Sequence, residues 1–446
     1  MKRRQDCELQ CDVLVVGTGY AGLAAAIEAL SSGAKVIALG RRNPLASNSA
    51  LGGGTFAFAD TTLQRQKGIQ DSADLLAEDI LKANRRTIPE DVVNAAARQS
   101  VQLYDWLAEI GAEFYEVMQY PGHSVPRVHL ESGMDGANTL NLLIKRARSN
   151  GADVRLGTVA EHLLLNEKNE VEGVKAINSG GKTTIKAKRA TILAAGGFGK
   201  NKDMMAEYLL EYAEMPCVSG AGSTGDGIRM GMEIGADVLN MDAAELYSLG
   251  AARKGLRLPG VSEAMSKGAI LVNKNGERFT DESKGYGLTA PPVMQQPDGV
   301  ALLVLDEALL KSVVKLHLNI DKYLNTGLVY YGETASELGR RTGIEPDNLQ
   351  KTADQFFPSG KLYGTWVRTI LIQSMGGLKV NSRAQVIHRR GYPIPRLYAA
   401  GDNTPSLGGA ATSDNPCPGY LTGTGYLLAL ASGRIAGQNA TEVTTQ

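Results

Sequence analysis

A short apolar run that leads into three closely spaced glycines is the feature that most constrains the fold of this chain. Four apolar residues after Asp12 are followed by Gly17, Gly19 and Gly22, at GxGxxG spacing, and then by an alanine-rich helical pattern. A second apolar run at residues 34–39 completes a strand–helix–strand unit. In such a unit the first glycine permits a tight turn, the second lets the backbone approach a pyrophosphate, and the third lets the helix pack against the sheet. The phosphates then meet the positive end of the helix, so this segment predicts a dinucleotide site.

The residue after the second strand departs from this pattern. An Asp or Glu is expected there for the ribose hydroxyl, but the chain has Gly40, followed by Arg41 and Arg42. Two interpretations stay open: the arginines bind the 2′-phosphate of NADP, or they are surface residues that open a loop. We favour the second, and the ribose contact must then come from elsewhere.

Length and charge limit the class of protein. The chain has 446 residues, with 47 Lys plus Arg and 47 Asp plus Glu, which gives a formal net charge of +0. This length suits two domains, or one nucleotide domain with a large insertion. The charge balance favours neither nucleic acid nor an anionic membrane as a partner, so we expect a small-molecule ligand. No apolar stretch reaches the roughly 20 residues of a membrane span, and we take the cytoplasm as the default location.

The cysteines do not have the spacing of a metal or haem site. Cys7, Cys11, Cys217 and Cys417 form no CxxC or zinc-finger pattern, so we predict no metal. The prolines on either side of Cys417 are expected to stiffen the loop that carries Tyr420, and a redox role for Cys417 is the less favoured alternative.

Glycine-rich turns recur along the chain and separate two kinds of region. The loop at 46–55 consists mostly of small residues, against which a flat ring or a ribityl chain could lie, and further turns occur at 196–197, 220–227 and 401–402. Between residues 237 and 366 the pattern loosens. We therefore predict an α/β fold, in which both chain ends form a Rossmann-like nucleotide domain around an inserted α+β capping domain. The predicted boundaries are 1–236, 237–366 and 367–446.

Apolar periodicity and turn residues predict the individual elements. Helices are expected at 20–32, 72–86, 89–110, 226–234, 306–318, 333–342, 346–356 and 424–438. Strands are expected at 12–16, 34–39, 154–165, 171–178, 183–188 and 190–195.

Six ordered motifs carry a family resemblance that covers nearly the whole chain. They are Gly17-x-Gly19-x-x-Gly22, Gly52-Gly53, Ala194-Ala-Gly196-Gly197, Gly225-Asp226-Gly227, Met375-Gly376-Gly377-Leu378 and Leu397-Tyr-Ala-Ala-Gly401-Asp402. This set resembles the FAD-binding flavoprotein family of succinate dehydrogenase and fumarate reductase, which includes the 3-ketosteroid dehydrogenases. The resemblance implies a Rossmann-like FAD-binding domain, a capping domain, and a substrate held between them beside the isoalloxazine ring.

The resemblance also implies the cofactor contacts. Asp402 would contact the ribityl chain, Gly376 and Gly377 would lie against the ring, and Asp226 near the start of its helix suits the helix dipole. Respiratory members carry a flavin-linking histidine just before the Gly52-Gly53 loop, where this chain has Asn43-Pro-Leu-Ala-Ser-Asn-Ser, so we expect non-covalent FAD. The expected cofactor-binding residues are Gly17, Gly19, Tyr20, Ala21, Gly22, Ser49, Gly52, Gly53, Gly54, Ala195, Gly196, Asp226, Gly377, Gly401 and Asp402.

Departures from the fumarate-type members bear on the substrate. Those members place a histidine where this chain has Gln373-Ser374, an arginine where Tyr420 stands, and a proton-donating arginine at the position of Leu310. Without these cations a dicarboxylate loses its charge-assisted hydrogen bonds, which argues against fumarate and succinate.

The remaining residues suit a ketone. Tyr247 falls near the position of a substrate-binding histidine, and in the ketosteroid dehydrogenases tyrosine phenols and a glycine amide bind the carbonyl while a tyrosine removes the neighbouring proton. The counterparts here are Tyr247, Tyr420 and the amide of Gly425. Hydrogen bonds to the carbonyl stabilise an enolate, a base takes the α-proton, and the flavin takes hydride from the β-carbon. We therefore predict desaturation of a cyclic ketone or 3-ketosteroid; the alternative for each tyrosine is simple packing.

Further candidates each have an alternative in which they are structural. Arg127 and His129 lie in a segment that resembles the family's Ser-Val-x-Arg-x-His stretch near the flavin, where Arg127 could hold an acidic group or a flavin phosphate. The alternative is a loop salt bridge and a hydrogen-bonded loop histidine. Tyr286 and the acidic residues at 281–282 follow a family motif for proton delivery, but we favour a solvated turn.

Other reactions stay open as well. The reverse reaction, an ene or fumarate-type reduction, uses the same atoms. An electron-transfer flavoprotein subunit, a non-redox flavoprotein and a plain NADP dehydrogenase are further alternatives. Since the chain has no second strand–helix–strand unit with a GxGxxG turn for NAD(P)H, we expect an external electron acceptor: oxygen, a quinone-like molecule or a protein.

Overall fold

The computed structural model describes residues 7–133, 135–253, 256–358, 360–413, 415–416 and 419–442. Cys417 lies outside the described residues, so the expectations for it are not addressed by the structure.

The strands and helices are numbered in chain order. The strands are β1 Cys7–Val16, β2 Val36–Gly40, β3 Thr55–Ala57, β4 Phe114–Met118, β5 Val128–Glu131, β6 Asp153–Leu156, β7 Val159–Leu165, β8 Val171–Asn178, β9 Gly181–Leu193, β10 Val238–Leu239, β11 Ala244–Ala251, β12 Leu256–Arg257, β13 Ile270–Val272, β14 Val300–Asp306, β15 Tyr330–Gly332, β16 Leu362–Ser374, β17 Gly377–Leu378, β18 Gln385–Ile387 and β19 Pro393–Ala399. The α-helices are α1 Tyr20–Ser31, α2 Asn48–Leu51, α3 Thr62–Gln66, α4 Ala73–Ala83, α5 Glu90–Glu109, α6 Gly136–Ser149, α7 Lys202–Tyr208, α8 Asp226–Glu233, α9 Val261–Ser266, α10 Ala290–Met294, α11 Glu307–Ser312, α12 Val314–Leu318, α13 Ile320–Asn325, α14 Ala335–Thr342, α15 Pro346–Ala353 and α16 Thr424–Asn439.

One large sheet forms the nucleotide-binding half of the molecule. Its path runs β18-β19-β9-β1-β2-β6, and β1 pairs in parallel with both β2 and β9. β7 and β8 extend this sheet from β9 through antiparallel pairs. β19, from the C-terminal part of the chain, lies parallel to β9. Both chain ends therefore build one sheet, as the α/β prediction requires.

The first strand, turn and helix pack at distances that only glycine permits. Gly17 has φ +128°, and a Cβ there would lie 1.9 Å from the carbonyl oxygen of Ala194. A Cβ on Gly22 would lie 2.0 Å from the carbonyl oxygen of Gly17. Any side chain at either position would therefore separate α1 from the sheet.

The last helix packs against the first one. Gly433 on α16 lies so close to α1 that a Cβ would be 2.3 Å from the carbonyl oxygen of Ala21. Arg434 Nε donates to Glu28 Oε1 at 2.6 Å, and this ion pair is nearly buried. The C-terminal helix thus supports the helix that begins the dinucleotide site.

A second, antiparallel sheet forms the cap. Its path is β12-β11-β16-β14-β13, with β15 also paired to β16. Leu303, Val367 and Ile370 lie in its core and are fully buried. β16 runs across residue 366 and ends beside the nucleotide-binding half, and the domain boundaries themselves stay predictions.

Some elements differ from those predicted. The helix expected at 306–318 is divided into α11 and α12 at Val313, whose φ of −108° and ψ of 86° are not helical. The strands expected at 183–188 and 190–195 form one continuous strand, β9. The small sheet β3-β5-β4 was not predicted, because its strands are short and β3 pairs with a strand about 70 residues further along the chain. Within the described ranges, no helix combines the length and hydropathy needed to cross a bilayer.

Candidate active site

The cleft at the N-terminus of α1 is lined by glycine-rich backbone. Gly17, Gly19, Tyr20 and Ala21 line it, and the first turn of α1 has no acidic residue. The N-cap residue Gly19 has no side chain to cap the helix, but the Tyr20 amide donates to Ser49 Oγ at 3.0 Å. The first amides of a helix lack intrahelical partners and carry the positive end of its dipole. Ser47 Oγ is buried in the same cleft and has no hydrogen-bond partner among the described residues. The helix amides and the buried hydroxyl in this cleft suit the phosphates of a dinucleotide.

The far end of this cleft carries a charged cluster. Arg41 forms an ion pair with Asp226, which also accepts from Arg229 Nη2 at 2.9 Å and from Thr224 Oγ1 at 2.8 Å. Burial acts to raise the pKa of Asp226, but the hydrogen bond from Thr224 and the charge of Arg41 outweigh it and lower the pKa. Arg41 therefore lines the cleft paired with a carboxylate, rather than standing free for a 2′-phosphate.

The missing acidic residue after β2 has a steric explanation. A Cβ on Gly40 would lie 2.6 Å from Thr18 Oγ1 and 2.8 Å from Leu156 Cδ2. No side chain fits at this position without displacing its neighbours. Two carboxylates, those of Asp226 and Asp402, line the same cleft.

A larger cavity continues from this cleft toward the cap. The two share Asn48, Ser49, Asp402 and Ala429, so one continuous channel runs from the glycine-rich turn to the cap. From the cap, Glu245, Tyr247 and Tyr286 line the cavity, with Ile372 and Gln373 at the end of β16. From the other side it is lined by Gly52, Gly53, Tyr420, Thr422, Gly423, Gly425 and Tyr426.

Most of the expected cofactor-binding residues line this channel. The first cleft includes Gly17, Gly19, Tyr20, Ala21, Ser49, Ala195, Gly196, Asp226, Gly401 and Asp402, and the larger cavity adds Gly52 and Gly53. Gly22, Gly54 and Gly377 line neither space. Gly22 packs on Gly17, the carbonyl of Gly54 accepts from the Glu131 amide at 2.9 Å, and Gly377 lies in β17 against the backbone of Asn403. These three residues therefore support the channel from behind.

A series of hydrogen bonds connects the two parts of the channel. Asn48 Nδ2 donates to Asp402 Oδ2 at 2.9 Å and to Gln373 Oε1 at 3.2 Å. Gln373 Nε2 donates to Glu245 Oε2 at 2.9 Å, and the Tyr286 hydroxyl donates to Glu245 Oε1 at 3.3 Å. Burial raises the pKa of Asp402, and the hydrogen bond from Asn48 opposes that change. Polar contacts thus link the nucleotide cleft to the cap wall.

The predicted tyrosines face the same cavity. Tyr247 packs against Tyr286, with ring centroids 5.0 Å apart. The Tyr420 hydroxyl lies against Gly425, since a Cβ there would be 2.9 Å from it. Gly425 is the second residue of α16, so its amide has no intrahelical acceptor. A phenol donor and a backbone donor therefore lie side by side at one wall.

We expected Tyr286 to lie in a solvated turn, but it lies in the cavity wall. Its neighbours Asp281 and Lys284 are exposed, in agreement with that expectation. Glu282 is buried and accepts from Arg278 Nη2 at 2.7 Å. Of the two acidic residues, Asp281 thus lies at the surface, whereas Glu282 forms an ion pair in the cap.

Arg127 and His129 lie outside the cavity, and the structure gives them the contacts of their structural alternative. Arg127 is fully buried between Asp71, at 2.5 Å from Nη2, and Asp79. His129 is also fully buried, with Nδ1 2.8 Å from the carbonyl oxygen of Arg127 and Nε2 2.8 Å from Thr61 Oγ1. Burial lowers the pKa of His129 to about 4. The structure therefore gives no support to their predicted catalytic role, because neither residue lines the cleft or the larger cavity.

Sequence reasoning missed Glu245, Asn48, Thr422 and Tyr426 in the channel. Glu245 precedes Tyr247 by two positions on β11, and alternation along a strand could have placed both on one face. Asn48 had no such signal, because its partners Asp402 and Gln373 are more than 300 residues away in sequence.

The larger cavity has a distinctive charge pattern. Among its described lining residues there is no Lys, Arg or His, and the carboxylates are those of Glu245 and Asp402. Leu310, which stands at the expected position of the proton-donating arginine, lies in the cap core. Among the described residues, no cluster of His, Cys, Asp or Glu could hold a metal ion.

Comparison with known proteins identifies the family. The FAD binding domain family matches residues 12–413. The chain belongs to this family. The channel, with its helix N-terminus, glycine backbone and buried Ser47 hydroxyl, fits the FAD that the family binds. FAD is therefore the cofactor of this flavoprotein, and the alternative of a plain NADP dehydrogenase is wrong.

Curated relatives of the flavoprotein extend over most of its length. The fumarate reductase (cytochrome) of Shewanella frigidimarina is 29% identical over 96% of this chain and 76% of its own. The vinyl phenol reductase of Lactiplantibacillus plantarum is 28% identical over 98% of this chain and 97% of its own. The resemblance inferred from the six motifs is confirmed, and the flavoprotein is an FAD-dependent oxidoreductase of the CH–CH group.

Solved structures share its fold. A flavocytochrome c3 fumarate reductase in an open conformation is 27% identical, with a TM-score of 0.81 over 97% of this chain and 78% of its own. The 3-ketosteroid-Δ4-(5α)-dehydrogenase of Rhodococcus jostii RHA1 is 24% identical, with a TM-score of 0.77 over 99% of this chain and 98% of its own. The predicted α/β fold with its Rossmann-like FAD-binding domain is confirmed.

Proposed function

We propose that the protein desaturates the carbon–carbon bond next to the carbonyl of an uncharged cyclic ketone, such as a 3-ketosteroid. The observation that carries this proposal is the lining of the larger cavity, which includes Tyr247, Tyr420 and Gly425 and has no Lys, Arg or His among the described residues. A dicarboxylate would find no charge-assisted partner there. The buried carboxylate of Glu245, only 4% exposed, would repel it further.

In this proposal each wall has its own task. The Tyr420 hydroxyl and the Gly425 amide donate hydrogen bonds to the ketone oxygen and stabilise the enolate that forms when the α-proton leaves. Tyr247 removes that proton, and the packed ring of Tyr286 restricts its orientation. When bound in the channel, FAD would supply the acceptor for the hydride that leaves the β-carbon. A phenol needs a proton acceptor nearby to act as a base, and Glu245 supplies a carboxylate in the same wall.

The electron acceptor belongs to the proposal as well. We propose an external acceptor, either oxygen, a quinone-like molecule or a protein, together with non-covalent FAD and a cytoplasmic location.

The test is anaerobic mixing of the oxidised enzyme with cyclic ketones, androstane-3,17-dione among them, while the flavin absorbance is recorded. Bleaching of the flavin band with formation of the enone is expected. Tyr420→Phe should slow the bleaching by about 100-fold with FAD retained, as expected for loss of one transition-state hydrogen bond. Tyr247→Phe removes the proposed base and should slow it at least as much. Gly425→Ala keeps the amide donor but places a Cβ 2.9 Å from the Tyr420 hydroxyl, so it should slow the bleaching by displacing that hydroxyl. Tyr392→Phe, at an exposed tyrosine outside the cavity, is the control. Unchanged rates in all three variants would remove the site assignment.

A second candidate is reduction of the double bond of an enone or of another conjugated, uncharged substrate. The names of the relatives favour this second candidate, since the Shewanella and Lactiplantibacillus proteins are both called reductases. The same residues would serve in reverse, with a proton delivered to the α-carbon. Dithionite-reduced enzyme mixed with androst-4-ene-3,17-dione distinguishes the two directions: rapid flavin reoxidation together with no bleaching by the saturated ketone would favour reduction.

A further inference from the structure

His123 is buried behind the wall that carries Tyr420 and Gly425. Only 5% of it is exposed, and its Nε2 lies 3.0 Å from the carbonyl oxygen of Thr422. Thr422 lines the larger cavity and stands between Tyr420 and Gly425 in the chain. His123 itself does not line the cavity, so any effect it has on a ligand must act through this carbonyl.

The neighbours of His123 fix its tautomer. Its Nδ1 lies 3.5 Å from Arg127 Nη1, and a guanidinium can only donate. Nδ1 must therefore be the acceptor, which leaves the single ring proton on Nε2, where it is donated to Thr422. Burial lowers the pKa of His123 to about 4, which agrees with a neutral ring. Asp71 and Asp79, the other charged groups at this cluster, are both held by Arg127.

Arg127 gives His123 a rigid support. Arg127 Nε and Nη2 donate to the two carboxylate oxygens of Asp71 at 2.9 and 2.5 Å, a bidentate arrangement, and Nη1 pairs with Asp79. Asp79 also accepts from the amide of Ser124 at 2.8 Å, next to His123 in the chain. The imidazole is thus held by its backbone and by its Nδ1.

The loop that His123 contacts is tightly packed. A Cβ on Gly122 would lie 2.4 Å from Leu421 Cδ2, and the amide of Ala57 donates to the carbonyl of Gly423 at 3.3 Å. Residues 421–423 are therefore each held from behind, while Tyr420 and Gly425 at their two ends face the cavity.

We propose that His123 is a positioning residue, whose hydrogen bond to the Thr422 carbonyl holds the Tyr420 hydroxyl and the Gly425 amide in register for one carbonyl oxygen. The identity of the ligand that carries this carbonyl rests on the proposed function. The hydrogen bond from His123 to Thr422 does not depend on that function. In this inference the buried cluster of Arg127, Asp71 and Asp79 has a role, because the cluster orients the imidazole.

The experiment compares His123→Ala and His123→Gln with His162→Ala, which removes an exposed histidine outside the channel. Glutamine retains an N–H donor near the position of Nε2. We expect faster amide hydrogen exchange in the peptide spanning 419–426 for the alanine variant, with partial return in the glutamine variant. For the ketone that bleaches the flavin of the wild type, kcat/KM should fall by about 10- to 100-fold in His123→Ala, as for a small misplacement of catalytic groups. FAD content should stay at the wild-type level in all three.

A double variant separates positioning from general stability. If His123 acts through Tyr420, then His123→Ala added to Tyr420→Phe should lower kcat/KM much less than it does alone. Fully additive losses, unchanged exchange at 419–426, or loss of FAD in the glutamine variant would each overturn the inference. If the wild type converts no ketone or enone, the proposed function fails, and the exchange measurement still decides whether His123 holds the loop.

Discussion

Glu131 is a single buried carboxylate whose ionisation opposes folding. It is 2% exposed, accepts from Thr139 Oγ1 at 2.7 Å through Oε1, and its Oε2 has no hydrogen-bond partner among the described residues. Burial raises its pKa to about 7, and the hydrogen bond from Thr139 only partly opposes this. Between the unfolded pKa of about 4.3 and the folded value, the folded state binds more protons, so this residue's contribution to stability falls as the pH rises.

Glu131→Gln should remove that dependence, because the amide keeps the acceptor for Thr139 and cannot ionise. We expect the Tm of the variant, relative to the wild type, to be higher at about pH 8 than at about pH 5. Thermal unfolding at the two pH values measures it, with the exposed Glu161→Gln as a control. An equal difference at both pH values would show that Glu131 is not protonated in the folded protein.

At the residue scale, the sequence predicted the site residues best where one short segment of the chain determines their geometry. Gly17, Gly19 and Gly22 line or support the phosphate cleft as expected, because strand, turn and helix are consecutive. Tyr247 and Tyr420 lie in one cavity, as the family resemblance implied. Their neighbour Glu245 was missed, although it lies two positions before Tyr247 on the same strand; its hydrogen bond with Gln373 had no signal, because it depends on long-range strand pairing.

At the scale of elements, a buried ion cluster joins α4 to the segment before β5. Asp79 on α4 and Asp71 just before it bind Arg127, which directly precedes β5. Removing one partner of such a cluster leaves an uncompensated buried charge, which typically costs about 3–5 kcal/mol.

Asp71→Asn should therefore destabilise the protein by about 3 kcal/mol, toward the lower end because Asp79 still pairs with Arg127. Urea unfolding with bound FAD measures this change. Asp60→Asn, at an exposed ion pair with Arg65, is the matched control and should change stability by less than about 1 kcal/mol. An equally small effect in Asp71→Asn would mean that the cluster does not hold these elements together.

Other elements were predicted only in part. Periodicity gave α5 and α16 to within a residue or two, because both are long and have clear boundaries. It joined α11 to α12, since the apolar pattern continues through Val313 although the backbone there does not. The strands β3 and β5 gave no usable pattern, because each has only three or four residues.

At the scale of the whole molecule, cofactor binding depends on contact between the two chain ends. Gly433→Val would place side-chain atoms where the backbone of Ala21 lies, since a Cβ alone would be 2.3 Å from its carbonyl oxygen. We expect α16 to move away from α1 and FAD affinity to fall by at least about 10-fold, because overpacking typically costs about 1–3 kcal/mol. FAD retention after gel filtration measures it. Gly287→Val, where a Cβ meets nothing within 4 Å, is the control, and equal retention in both variants would contradict the prediction.

The long strand β16 has a consequence for how the two halves can move. It pairs with β14 through Trp366 and Thr365 in the cap, and seven residues further on it contributes Gln373 to the cavity and to the hydrogen bond with Asn48. A hydrogen-bonded strand transmits displacement along its length. Rotation of the cap as a rigid unit would therefore pull Gln373 away from Asn48, so that admission of substrate and the environment of the flavin ring change in the same step.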